Sequence, residues 1–336
     1  FFSAAPSRRS KRRSPRQMRA LRSTPLLLRV HEVAPRDGLQ NERALLPTAA
    51  KLALVRRLAR SGAASVEVTS FVRPDAVPAL ADAEELCARM RDAEWASDAR
   101  RRGVRFAGLV LNERGLDRLS AAGAGDALDT VSVVVSCTEA HSRANANLGV
   151  ADALSLATRL VRDAKTRGLH VRAYASMAFG CPFEGTTDPA RVLEVVQATA
   201  SAGADVVVLA DTLGAATPKQ VRSMVGMVTV GGDGAAVRVA RLGLHMHDTH
   251  GRATANCGEG MLLGVPHVDA AVGGVGGCPF APGSAGNLAT HRLLAKADSL
   301  GATHGMRVDE ARGAGQWLRA ALSASLRGEP FRRGGS

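Results

Sequence analysis

The sequence predicts an α/β chain folded as a TIM (β/α)8 barrel with extra C-terminal helices. From residue 26 onward, eight short apolar runs alternate with longer helical patterns at a spacing of about 30 residues. The 336 residues suffice for one large barrel. The turn after the first run reads A-P-R-D-G-L-Q, without the glycine-rich phosphate turn of an open doubly wound sheet.

The elements follow in order. Leu26 to Val33 reads as a first strand, and Thr48 to Ser61 as a helix with Thr48 as its N-cap. Ser65 to Thr69 is a second strand, and Val77 to Arg91 looks helical. Val104 to Leu111 is a third strand, followed by a helix to Ala122. Leu128 to Val135, Leu169 to Ala175 and Asp205 to Ala210 are strands four, five and six. Between them lie a helix from Ala151 to Arg167 and one capped by Asp188 that runs to Ser201. Pro218 opens a helix at its first turn. Val237 to Met246 is a seventh strand, Ala253 to Leu263 a helix, and Val268 to Val272 an eighth strand. Helices fill 286–300 and 307–326.

Hydrophobic residues make up 46% of the chain and aromatic residues 3%, so the core is built from Ala, Val and Leu. The net charge of +13 is concentrated at one end. Residues 1–24 hold eight Lys/Arg and no acid, leaving 36 bases against 31 acids elsewhere. This distribution, without a basic surface interleaved with aromatics, argues against a nucleic-acid-binding protein. A mildly basic body suits an anionic metabolite. Residues 1–25 form a basic arm with the Arg/Ser-rich, acid-free composition of a transit peptide, which would direct the protein to the mitochondrial matrix. The competing reading, untranslated sequence ahead of Met18, leaves a cytoplasmic protein. Residues 26–327 form the barrel and its added helices, and 328–336 a flexible tail. No run of 18 apolar residues exists, so no membrane span is expected. The five cysteines include no CxxC pair, which predicts free thiols in a reducing compartment.

Barrel chemistry sits at the C-terminal ends of the strands. Arg36 and Asp37 follow strand one, Glu67 interrupts strand two, and Asp211 follows strand six. His245 and His247 end strand seven, two apart and therefore on one face. Cys278 and Asn287 lie in a glycine-rich loop after strand eight. Singly, each has an ordinary structural reading: Asp37 as a turn residue, Asp211 as a helix cap, Cys278 as a small apolar residue. Together they place acids, imidazoles, a guanidinium and a thiol on one rim, which is costly without a ligand. A divalent metal between Asp37, His245 and His247 would offset the charge. Mixed oxygen and nitrogen donors suit Mg2+ or Mn2+, with zinc the competing choice.

Several blocks carry a resemblance that runs from about Val30 to about Leu300. They are P-R-D-G-L-Q-N-E (35–42), V-E-V-T-S-F-V (66–72), A-F-G-C-P-F-E-G (178–185), A-D-T-L-G (210–214), H-M-H-D-T-H-G (245–251) and G-G-V-G-G-C-P-F-A-P-G-S-A-G-N-L-A-T (273–290). The sequence resembles the 3-hydroxy-3-methylglutaryl-CoA lyase family of metal-dependent barrels. The resemblance implies a homodimeric lyase that takes an acyl-CoA and forms acetyl-CoA and acetoacetate by retro-Claisen cleavage. It implies metal ligation by Asp37, His245 and His247 with Asn287 at or near the metal. Arg36 would stabilise the enolate, Glu67 and Asp211 would orient the ligating groups, and His245, with help from Asp37, would act as base. Cys278 would close over the substrate and take part in proton transfer. Substrate contacts are implied for Arg36, Gln40, Asp211 and Asn145, with Asn147 a further candidate. The segment after strand four departs toward bacterial-type members, and Gly149 stands where many members have Ser. A relative acting on another 3-hydroxyacyl-CoA is the alternative.

Overall fold

The computed structural model describes residues 25–123, 125–230, 236–277 and 286–331. Eight parallel strands close in sequence order, with β1 paired to both β2 and β8. They are β1 (Arg29–Glu32), β2 (Ser65–Ser70), β3 (Arg105–Val110), β4 (Thr130–Ser136), β5 (His170–Ser176), β6 (Val206–Asp211), β7 (Leu242–Met246) and β8 (His267–Ala270). Every residue of β2, β6 and β7 is buried. That is why these strands read as continuous apolar runs: helices cover one face and the barrel interior fills the other.

The helices are α1 (Thr48–Arg60), α2 (Ala83–Arg91), α3 (Glu94–Arg101), α4 (Glu113–Ala121), α5 (Glu139–Ala146), α6 (Val150–Thr166), α7 (Pro189–Ala202), α8 (Pro218–Val230), α9 (Ala253–Leu262), α10 (Thr290–Leu300) and α11 (Val308–Leu326). The C-terminal helices α10 and α11 are present as expected. Arg57 of α1 stacks 4.4 Å from the Trp317 ring of α11, which seats that helix on the barrel. Leu28 N–H donates to Thr303 O, and Thr303 N–H to Leu26 O, so the chain's entry and exit are tied together.

Several local expectations are corrected. Thr48 is the first helical residue, not the cap; Pro47 occupies that position, and the Thr48 hydroxyl donates to Asp82 instead. The expected helix from Val77 splits, because Pro78 opens a short 3-10 turn before α2 begins at Ala83. Helices α3 and α5 have no counterpart in the sequence reading. The seventh strand starts at Leu242, since Val239–Arg241 forms a 3-10 turn. The helix expected over 286–300 starts at Thr290. Asp188 does cap α7, accepting from Ala190 N–H at 2.9 Å. Of the expected tail, residues 328–331 are described; 328–330 are exposed, and Phe331 meets Trp317 edge-on. The arm at 1–24, Cys278 and residues 332–336 lie outside the described residues. Among the described residues no helix is long and apolar enough to cross a membrane.

Candidate active site

The strand β1 ends at Glu32, and the chain turns through Ala34–Gly38 in a wide π-type turn that opens with Pro35 near its start. Glu32 pins this turn. Its buried carboxylate accepts from Ala34 N–H at 3.2 Å, Val272 N–H at 2.8 Å and the Thr290 hydroxyl at 2.7 Å. Burial raises its pKa to about 7, against the opposing effect of those hydrogen bonds. Gly38 is required where the turn meets the segment after β8: a Cβ there would lie 2.6 Å from a Val275 methyl.

The turn presents Arg36 and Asp37 to the barrel mouth. Arg36 Nε donates to Glu67 Oε2 at 2.6 Å, and Nη1 to Asp37 Oδ1 at 2.6 Å and Gln40 Oε1 at 3.4 Å. Burial alone would lower the Arg36 pKa, but Glu67 and Asp37 outweigh it and hold the guanidinium charged. Among the described residues, Nη2 has no partner. Asp37 carries the mirror-image balance. Burial would raise its pKa, yet Arg36, His245 and His247 hold it well below the carboxylate range.

The two histidine rings stand 5.2 Å apart, centroid to centroid. His245 Nδ1 lies 3.2 Å from Asp269 Oδ2, which leaves Nε2 as its free nitrogen. His247 Nε2 lies 3.9 Å from Asp37 Oδ2, and its buried Nδ1 has no hydrogen-bond partner among the described residues. Burial, then the positive neighbours His245 and Arg36, lower the His247 pKa to about 4, so this ring is neutral. His245 differs: burial lowers its pKa, but Asp269 and Asp37 outweigh that and raise it. Asn287 is brought in because His247 and Asn287 form an isolated bridge and Asp248 N–H donates to Gly286 O. Its amide donates to Asp37 Oδ2 at 2.8 Å and to Val275 O at 3.3 Å. Asp248 itself is spent on Ala253 N–H and Arg292.

Asp37, His245 and His247 each offer a ligand atom, all within 4.8 Å of one another. One carboxylate and two imidazoles, one of them a neutral ring with an orphaned nitrogen, form a donor set that fits a divalent cation. His245 has a single free nitrogen, so it cannot hold a cation and accept a proton in the same state. The two roles expected of it therefore belong to different states of the ring.

Three further residues expected to contact substrate have these surroundings: the Asp211 main-chain oxygen accepts from His247 N–H, which keeps it beside the ligand cluster. Asp211 is fully buried, and its carboxylate oxygens accept from Ala215 and Ala216 N–H at 3.0 and 2.8 Å, so it braces the turn after β6. Asn145 and Asn147 line a groove of about 700 Å³ beside Arg73 and Arg118, and neither Arg36 nor the three candidate ligands lines it. Gly149 precedes α6 with no side chain to cap it, and Glu139 takes over, accepting from Val150 N–H at 2.9 Å. The sequence reading missed Glu32, Arg172, Tyr174 and Asp269. The signal was the one used for Glu67, a polar residue inside a buried strand.

A (β/α)8 barrel whose C-terminal rim gathers a carboxylate and two imidazoles at ligand spacing, beside a buried guanidinium, is the frame of a cation-assisted barrel enzyme. The chain belongs to the HMGL-like family, whose model matches residues 28–317. It is 35% identical over 299 residues to the mitochondrial hydroxymethylglutaryl-CoA lyase of Mus musculus, covering 89% of this chain and 87% of the mouse protein. Among solved structures, the HMG-CoA lyase from Brucella melitensis superposes with a TM-score of 0.80 at 37% identity, over 88% of this chain and 99% of that one. An Acinetobacter baumannii HMG-CoA lyase in complex with coenzyme A and 3-methylmalate gives a TM-score of 0.78 at 30% identity, over 92% and 98% of the two chains.

Proposed function

We propose that this chain cleaves 3-hydroxy-3-methylglutaryl-CoA to acetyl-CoA and acetoacetate, with residues 26–327 as one catalytic domain. The observation that carries this is the Asp37, His245 and His247 cluster with Arg36 Nη1 on Asp37. A divalent cation held by these three, with Asn287 beside it, supplies Lewis-acid polarisation of substrate oxygens. Mg2+ or Mn2+ suits the oxygen and nitrogen donors.

The remaining work falls to side chains. Cleavage breaks the C2–C3 bond after the C3 hydroxyl passes its proton to His245 Nε2, acting as base in a state where that nitrogen does not ligate, and charge moves onto the thioester oxygen. Arg36 offers Nη2 to that oxygen, while Glu67 and Asp37 fix the guanidinium. Gln40 supports Arg36 through Nη1. Cys278 is proposed as the group that delivers a proton to the enolate carbon. The basic, acid-free arm supports a mitochondrial-matrix location, tested by fusing residues 1–25 to a reporter. A homodimer is the proposed assembly, tested by light scattering.

The deciding assay incubates purified protein and Mn2+ with 3-hydroxy-3-methylglutaryl-CoA and a panel of other 3-hydroxyacyl-CoAs. Stoichiometric acetyl-CoA and acetoacetate from the first substrate alone is the expected result. Faster turnover of another panel member would reassign the substrate.

A further inference from the structure

We propose that Asp269 is a positioning residue that fixes the tautomer of His245 and so presets its Nε2 lone pair as a ligand. The inference rests on the metal-binding reading of the site and names what prepares it.

Asp269 lies on β8 and is 2% exposed. Three donors converge on its carboxylate. Arg172 Nη2 donates to Oδ1 at 2.7 Å, the Tyr174 hydroxyl donates to Oδ2 at 2.9 Å, and His245 Nδ1 lies 3.2 Å from Oδ2. Arg172 and Tyr174 come from β5, which is not hydrogen-bonded to β8, so these contacts cross the barrel interior. Arg172 Nε also donates to the Tyr174 hydroxyl at 3.3 Å, closing the cluster. With both oxygens held, the carboxylate cannot rotate away from His245.

An ionised carboxylate only accepts hydrogen bonds. His245 Nδ1 must therefore carry a ring proton, and in the neutral ring Nε2 carries the lone pair. The Tyr174 ring meets the His245 ring edge-on, at 6.2 Å and 80°, which restricts its rotation. Among the described residues His247 has no such arrangement, since its buried Nδ1 has no partner there. The pair is thus asymmetric, with His245 oriented in advance and His247 not. A carboxylate behind a ligating imidazole is a general means of setting its orientation and basicity.

The test uses Asp269→Asn, which is close to isosteric. Its amide oxygen stays on Arg172, so its NH2 group faces His245. Nδ1 must then accept, and the ring proton moves to Nε2, the nitrogen the cation needs. Long-range 1H–15N spectra of histidine-labelled, metal-free protein, recorded at a pH high enough to keep His245 neutral, should show His245 as the Nδ1–H form in the parent and the Nε2–H form in the variant. Mn2+ titration should show affinity lower by about 10- to 100-fold in the variant. An Nε2–H His245 in the parent would overturn the proposal. So would a variant that keeps both the parent tautomer and an affinity within about threefold. The parent spectrum decides the matter even where the variant does not fold. A parent that binds no Mn2+ defeats the metal reading, while its spectrum still judges Asp269.

Discussion

Arg36 Nε donates to Glu67 Oε2 at 2.6 Å, between a side chain 8% exposed and one fully sealed. Glu67 thereby aims the guanidinium, and Asp37 takes the adjacent nitrogen. Lysine keeps the charge but loses the fork. Arg36→Lys is therefore expected to fold normally and lower kcat by about 100- to 1000-fold, the scale of losing one well-placed oxyanion donor. Steady-state kinetics with a circular-dichroism control checks this; activity within about tenfold of the parent contradicts the role.

Asp37 is the one anionic member of the candidate ligand set. Asp37→Asn should weaken Mn2+ binding by at least about 100-fold in calorimetric titration, because an outer-sphere partner alone costs about 10- to 100-fold. An unchanged isotherm would remove Asp37 from the site.

Chelation should abolish turnover without unfolding the barrel, since its apolar core contains none of the candidate ligands. Mn2+ or Mg2+ should restore activity. Each should also raise Tm with concentration, as expected for a ligand that binds only the native state. A Tm that ignores Mn2+ up to saturation would count against a built site.

Glu32 gives a pH signature. Its folded pKa is raised to about 7, so the native state holds a proton that the unfolded chain has released above its ordinary value of 4.5. The sign is then fixed: its contribution to stability is present below that ordinary value and is lost as pH rises toward 7. Glu32→Gln keeps an acceptor and removes the titration. Urea unfolding of both proteins should show the variant gaining on the parent between those pH values, by up to about 3 kcal/mol. A gap independent of pH would show that Glu32 is ionised in the folded protein at all these values.

Cys278→Ala should lower kcat and spare Mn2+ affinity, measured side by side. A full-rate variant would remove the thiol from the chemistry.

The eight strands and the rim residues were legible because each rests on a local pattern: an apolar run, a spacing of two, a charge at a strand end. Glu67 stood out inside S-V-E-V for that reason. Arg172 and Asp269 did not, although R-A-Y and V-D-A carry the same kind of signal. Their pairing joins residues 97 apart in sequence across the barrel interior, and no local pattern encodes it. Asp211 shows the reverse. Its position after a strand marked it as a rim group, yet the main-chain N–H groups four and five residues on claim its carboxylate. Thr48 failed similarly, because Asp82 lies close enough to take its hydroxyl.

Asp37 and Asn287 meet across 250 residues of sequence, at the seam where β1 closes on β8. The ligand set and its Asn287 partner therefore come together only when the ring of strands shuts, a long-range closure with a high entropic cost. A nascent or partly folded chain offers the cation nothing but scattered side chains. Metal uptake is thus a timing signal for completed folding: added Mn2+ should slow unfolding while leaving the refolding rate unchanged.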